Sequence, residues 1–253
     1  MFIDTHAHLS FPEFKDDVDQ VIERAKQAGV GKIINVGCDL KSCSTVQELS
    51  TKYGFIYSTL GMRPYEAKFV DSALMSKSFE QAKADNKIVA SGEIGLDYFK
   101  AQIPHEEQIR AFKLQLDLAR SLNLPVIIHS RSSEEDVLKV LDEFKGIRFV
   151  FHCYAGDLDT AKEVWKRGGM TSFTGILTYP KAQNVQDVVY EAPVEQIMIE
   201  TDCPFLAPQA YRGKQNEPAY VVEVANEIQK IRGMRMSNLE AQLQENSERF
   251  FSL

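Results

Sequence analysis

The chain has 253 residues, 44% hydrophobic and 26% charged, which is the balance of a soluble globular protein and the length of one large α/β domain spanning 1–253. A formal net charge of −7 and a pI near 5.4 exclude a broad basic surface that grips nucleic acid by counterion release, so a polyanion would have to be held locally. No apolar run approaches the roughly 20 residues of a membrane span and no basic, apolar leader opens the chain, so a cytoplasmic monomer without a membrane partner is expected.

Short apolar, β-branched runs alternate with longer amphipathic ones from end to end. A strand at 2–8 leads to a helix at 16–28, a strand at 32–37 to a helix at 42–53, 55–61 to 71–86, and 88–94 to 105–123. The rhythm continues with 125–130 and 133–144, 148–153 and 158–168, 170–175 and 181–190, and a strand at 196–201 followed by helices at 218–231 and 237–250. Runs such as Val126-Ile127-Ile128 are apolar on both faces, as strands are when helices cover both sides of a parallel sheet. Eight βα units in about 250 residues predict a (β/α)8 TIM-type barrel with two extra C-terminal helices.

The polar residues that interrupt this pattern fall where strands end. His6 and His8 lie in FIDTHAHL, Glu93 in ASGEIGLDY, His129 in LPVIIHSR, His152 in RFVFHCY and Asp202 in IMIETDCP. Four of the five histidines belong to this set, and only His105 is outside it. The C-terminal rim of a barrel is where active sites are built, and all six are residue types that bind divalent metals. His6 and His8 are two apart on a strand, so their rings share a side and can chelate one ion, whereas packed strand histidines are the plainer reading of that pair taken alone. Asp4 has their parity and could orient a ring. A carboxylate at Glu93 is costly in a buried strand unless paired or metal-bound, and Gly92 and Gly95 leave room around it. Its two oxygens could bridge two ions, with His6, His8 and Asp202 on one and His129 and His152 on the other, and Asp202 could take a proton from the attacking water. Two such ions (Zn, Mg or Mn) suit phosphodiester hydrolysis.

Other residues admit two readings. Glu200 shares the parity of Asp202 and is either a support or ligand at the site or a buried structural acid. Asp97, with the parity of Glu93, would orient a ligand or a loop. Arg131, Arg212 and Lys214 are loop charges that either steer a polyanion or are simply solvated. Tyr154 and Phe205 either stack on a base or pack. Cys38, Cys43, Cys153 and Cys203 lack CxxC spacing and are expected as buried free thiols rather than ligands.

At these residues the chain resembles the TatD family of metal-dependent DNases, from DTHAHL through GEIGLDY and PVIIHSR to ETDCPFLAP and RGKQNEPAYV. The resemblance implies a metallo-dependent hydrolase barrel, dependence on divalent cations and hydrolysis of DNA, often from the 3′ end; the sequence leaves RNA open as a substrate beside DNA. Carried over position by position, the family's metal ligands fall on His6, His8, Glu93, His129, His152 and Asp202. One segment departs from the family: where members show Gly-x-His-Pro-His near the substrate phosphate, this chain has Gly61-Met62-Arg63-Pro64-Tyr65. Arg63 and Tyr65 are therefore expected at the substrate, Arg63 through a charge-assisted hydrogen bond to phosphate. The competing functions are a small-molecule amidohydrolase or phosphotriesterase on the same barrel, and a non-catalytic zinc-stabilised interaction module with a closed four-ligand site. A glutamate on strand four, in place of a lysine open to carboxylation, favours the nuclease.

Overall fold

A computed structural model describes residues 1–71 and 85–253; most of the helix predicted at 71–86 lies outside the described residues. The strands are β1 (Phe2–Ala7), β2 (Val30–Val36), β3 (Ile56–Leu60), β4 (Ile88–Asp97), β5 (Val126–Arg131), β6 (Phe149–Phe151), β7 (Met170–Phe173) and β8 (Ile197–Ile199). They follow one another in chain order within one sheet, and each recorded pairing is parallel, which is the order of a (β/α)8 barrel. The helices are α1 (Val18–Gln27), α2 (Leu40–Lys52), α3 (His105–Ser121), α4 (Glu134–Glu143), α5 (Leu158–Lys166), α6 (Gln183–Glu191), α7 (Val221–Arg232) and α8 (Met236–Phe251), the last two following β8.

The described residues group into two compact units, residues 1–35 with 153–253, and residues 36–152. In the first, β1 pairs with β2 and β7 with β8, and the segment after β8 returns to β1 through a parallel bridge between Ala7 and Cys203. Helices α7 and α8 pack on β1 and β8. Every residue of β1 is buried, so its polar members must find partners inside the protein.

In the second unit, β3 to β6 are adjacent and α3 packs along β4. The inner face of α3 carries Gln108, Ala111, Phe112, Gln115, Leu116 and Ala119, the three-to-four spacing of an amphipathic stripe, and two of these six are polar. Both glutamines clip main chain. Gln115 accepts from the Met62 N–H at 2.8 Å and donates to the Met62 carbonyl at 3.0 Å, and Gln108 does the same for Asp97 at 2.9 and 3.1 Å. They pin the end of β4 and the turn after β3.

Strand β4 runs further than expected, so Glu93 sits inside it rather than at its end. The β4–β5 register shifts between Ser91 and Ile94, and glycine makes the close approach possible: a Cβ on Gly95, at φ +143°, would lie 2.0 Å from the His129 carbonyl oxygen. The flanking glycines therefore serve the backbone of β5, not the space around the Glu93 carboxylate.

Candidate metal sites

In the first unit, His6 lies in β1, His8 one residue beyond it and Asp202 three residues beyond β8. The Asp202 N–H donates to the His6 carbonyl and the His8 N–H to the Cys203 carbonyl, both at 2.9 Å. That ladder brings Nε2 of His6 and His8 to 3.1 Å from each other, with Asp202 Oδ1 3.3 Å from His8 and 3.7 Å from His6. Asp202 holds φ +53°, a left-handed conformation that Asp tolerates better than most side chains.

Asp4 does not touch a ring. Its Oδ1 accepts from the Thr201 N–H at 3.0 Å and the His6 N–H at 3.3 Å, and its Oδ2 pairs with the Thr201 hydroxyl at 2.6 Å. It fixes the main chain on both sides of the His6–Asp202 junction, and burial pushes its carboxyl up to about 8. Glu200, buried, accepts the N–H of Cys153 at 2.7 Å, a structural contact next to His152. Asn216, inside RGKQNEP, donates to the carbonyls of Thr201 at 2.8 Å and Phe205 at 2.6 Å, and so clamps the loop that carries Asp202. Arg24 grips the neighbouring Glu217 through Nε at 3.0 and 2.8 Å and through Nη2 at 2.6 Å. Arg212 and Lys214 are exposed, Arg212 over the Tyr179 ring at 4.4 Å and Lys214 6.0 Å from that of Tyr211. Tyr154 packs: it is buried against Phe173, and its hydroxyl donates to the Asp157 carbonyl.

In the second unit, Glu93 Oε1 lies 2.7 Å from His129 Nδ1 and 3.2 Å from His152 Nε2, and the two ring nitrogens are 3.4 Å apart. The other side of His129 faces Asp97, with Nε2 3.1 Å from Oδ2. Asp97 also accepts the Tyr65 hydroxyl at 2.5 Å and the N–H groups of Phe99 and Lys100, so it holds a ligand and a loop together. Burial raises the pKa of Glu93, but His152 and His129 outweigh it and hold the carboxylate well below its usual range. For Asp97, too, burial is outweighed by the bonds from His129 and Tyr65, and the carboxyl is depressed.

Tyr65 thus spends its hydroxyl on Asp97, a role that its place in the sequence did not suggest. Arg63 is half-buried, with its guanidinium 5.4 Å from the Tyr65 ring and in the field of the Glu93 and Asp39 carboxylates. Arg131 closes β5 rather than sitting in a loop, and its guanidinium lies over the exposed Phe99 ring at 4.4 Å. No disulfide joins the four cysteines; Cys38 and Cys203 are buried, Cys43 and Cys153 only partly. Cys153, at φ +46° and past the end of β6, is not governed by strand alternation.

Both triads fit a divalent cation by the spacing of their donors. Nitrogen and oxygen ligands at 2.0–2.2 Å from one ion stand about 2.8 to 3.6 Å from each other in tetrahedral or octahedral geometry. The separations of 3.1, 3.3 and 3.7 Å in one triad and 2.7, 3.2 and 3.4 Å in the other cluster around that range. Glu93, His129 and His152 form a ligand group by themselves. Among the described residues no helix is long and apolar enough to cross a membrane.

A family model described as "TatD related DNase" matches residues 3–252. An uncharacterized metal-dependent hydrolase, YabD of Bacillus subtilis, is 38% identical over 256 residues, covering all of both chains. A protein named 3′-5′ ssDNA/RNA exonuclease TatD, from Escherichia fergusonii, is 30% identical over 99% of this chain and 98% of its own. The solved structure of YjjV, a TatD homologue from Escherichia coli, superposes with a TM-score of 0.92 at 31% identity, covering 100% of this chain and 98% of that one.

Proposed function

Since the chain belongs to the TatD-related DNase family of metal-dependent hydrolases, we propose that it hydrolyses phosphodiester bonds of DNA, as a 3′-5′ exonuclease, using two divalent ions, one held by each triad. The observation that carries this reading is the donor sets themselves: His6, His8 and Asp202 in one, Glu93, His129 and His152 in the other, each spaced for a cation. Divalent cations bound there would polarise the phosphate and activate water.

The protein's own contribution is placement and proton transfer. Asp202 turns Oδ1 toward His8 and His6 and is partly open to solvent, so Oδ2 receives the proton of the attacking water. Asp97 fixes the ring of His129 from behind and so turns Nδ1 toward Glu93, with which it would hold a divalent ion. Arg63 and Arg131 supply cations on the unit that carries Glu93, and Arg212 and Lys214 on the unit that carries Asp202. Few cations on an acidic protein suit a local grip on the strand, with RNA as a second substrate. The homologue named as an ssDNA/RNA exonuclease supports this reading.

The deciding experiment offers end-labelled single-stranded DNA, duplex DNA, RNA and a phosphotriester to the purified protein, with and without chelator. Chelator-sensitive shortening of DNA from its 3′ end is expected. Turnover of the phosphotriester with no cleavage of any nucleic acid would sink the proposal.

A further inference from the structure

Each of two metal-ligand residues in the first unit is followed, three positions later, by an aromatic residue in a closed turn. The Phe11 N–H donates to the His8 carbonyl and the Phe205 N–H to the Asp202 carbonyl, both at 3.0 Å. The same two segments are tied together by the bond from the His8 N–H to the Cys203 carbonyl. As a result the aromatic rings form a column that starts on a ligand. The His8 and Phe11 rings stack at 4.6 Å and 18°, and Phe205 meets Phe11 edge to face at 6.0 Å and 74°.

Phe205 leaves 47% of its surface to solvent. Isolated exposed aromatics are ordinary, and two others here, Phe69 and Phe99, carry a cation over the ring at 4.8 and 4.4 Å. Phe205 differs in its position, at the outer end of a column rooted in the triad that would hold a cation against phosphate. An aromatic face beside a phosphate-binding cation has a natural occupant, because every nucleobase is tethered to its phosphate at short range and has a π face of its own.

We propose that Phe205, backed by Phe11, is a stacking subsite for one unpaired nucleobase adjoining the phosphate held at His6, His8 and Asp202. This rests on the phosphodiesterase reading and adds the residue that would hold the base beside the reacting phosphate.

The test compares a single-stranded oligonucleotide with one of the same length that is abasic over its two 3′-terminal residues, using metal-loaded protein. The ratio of kcat/KM between the two strands is expected to fall by about 5- to 150-fold in Phe205→Ala, the worth of one base–aromatic contact. Phe205→Leu, which keeps the apolar bulk and removes the π face, should lower it as well. In parallel, a phosphorothioate-linked oligonucleotide with 2-aminopurine at its 3′ end reports stacking by quenching on binding. Loss of the quench in both variants supports the subsite; an unchanged ratio and quench in the folded variants would overturn it. If the wild-type protein cleaves neither strand, the phosphodiesterase reading falls separately. The quench then decides the subsite alone: present in wild type and lost in the variants it stands, and absent from wild type it falls.

Discussion

Asp97 Oδ2 lies 3.1 Å from His129 Nε2, on the side of the imidazole turned away from Glu93. A carboxylate behind a ligating histidine fixes its tautomer and raises its basicity, and losing such a partner typically weakens metal binding 10- to 100-fold. Asp97→Asn should therefore release the ion at this triad at lower competing chelator concentrations, by a factor in that range. Competition with a chromophoric chelator measures it. Unchanged affinity in a folded Asp97→Asn protein would reduce Asp97 to an anchor for the Phe99–Lys100 loop.

Glu93 is the carboxylate of its triad and is held strongly ionised by His152 and His129. Glu93→Gln keeps the shape and removes the charge. We expect at least one ion per chain to be lost and hydrolysis to fall to background, with the circular dichroism spectrum of the wild type retained. Metal analysis beside the nuclease rate checks this, and a fully loaded, fully active variant would show that Glu93 is not a ligand.

Most of the architecture was legible in the sequence, because strands covered on both faces read as continuous apolar runs and the carboxylates and histidines among them are costly unless used. The expected element bounds agree with the structure to within a few residues where the apolar pattern ends sharply, as at His105 or Phe251. They miss where tertiary hydrogen bonds decide, as in β4, which runs on to Asp97 in register with β5 through the close approach at Gly95. The supports of the site were hidden for the same reason. Tyr65, Asn216, Gln108 and Gln115 act through partners far along the chain, and only the glutamines left a trace, as polar residues on the apolar stripe of α3.

Gly95 should tolerate no side chain. An alanine Cβ would meet the His129 carbonyl oxygen at 2.0 Å, in a backbone conformation (φ +143°) that L-residues rarely adopt. Gly95→Ala is expected to cost about 3 kcal/mol or more, from strain together with displacement of β5. Urea unfolding midpoints measure the loss. A variant as stable as wild type would mean that the two strands can part there without penalty.

Asp4 gives stability a pH dependence whose sign is opposite to that of an ion-paired carboxylate. Its folded pKa is raised by burial to about 8 from an ordinary 3.8, so between those values the folded chain binds a proton that the unfolded chain lacks. Stability is then fully present below about pH 4 and declines as pH rises toward 8, by up to about 1.4 kcal/mol per pH unit. Asp4→Asn mimics the protonated form, since its carbonyl oxygen can accept from Thr201 and His6 while its amide donates to the Thr201 hydroxyl. Metal-stripped protein is the right sample, because a nearby cation favours the charged carboxylate. Urea midpoints between about pH 5 and 8 should decline more steeply in wild type than in Asp4→Asn, and parallel curves would contradict the assignment.

Arg63 stands where the family shows the histidine of Gly-x-His-Pro-His, and it is half-buried in the unit that carries Glu93. Its main chain is fixed, with the N–H bonded to the Cys38 carbonyl at 3.1 Å and the preceding residue, Met62, pinned by Gln115. Its guanidinium lies 5.4 Å from the Tyr65 ring, so the side chain is partly ordered before any substrate arrives. A positioned guanidinium loses less entropy when it meets a phosphate oxygen, and a hydrogen bond to a charged group contributes roughly 1.5 to 3 kcal/mol. Arg63→Ala should therefore lower kcat/KM on DNA by about 10- to 150-fold, with metal content unchanged. Arg63→His should recover part of the loss if the family's histidine meets the same phosphate. Arg63→Lys should recover less than a charge-only model predicts, because an ammonium cannot reproduce the planar fork. Steady-state kinetics on one labelled oligonucleotide separate these outcomes, and an Arg63→Ala enzyme with wild-type kinetics would leave the departure from the family motif without a role in substrate binding.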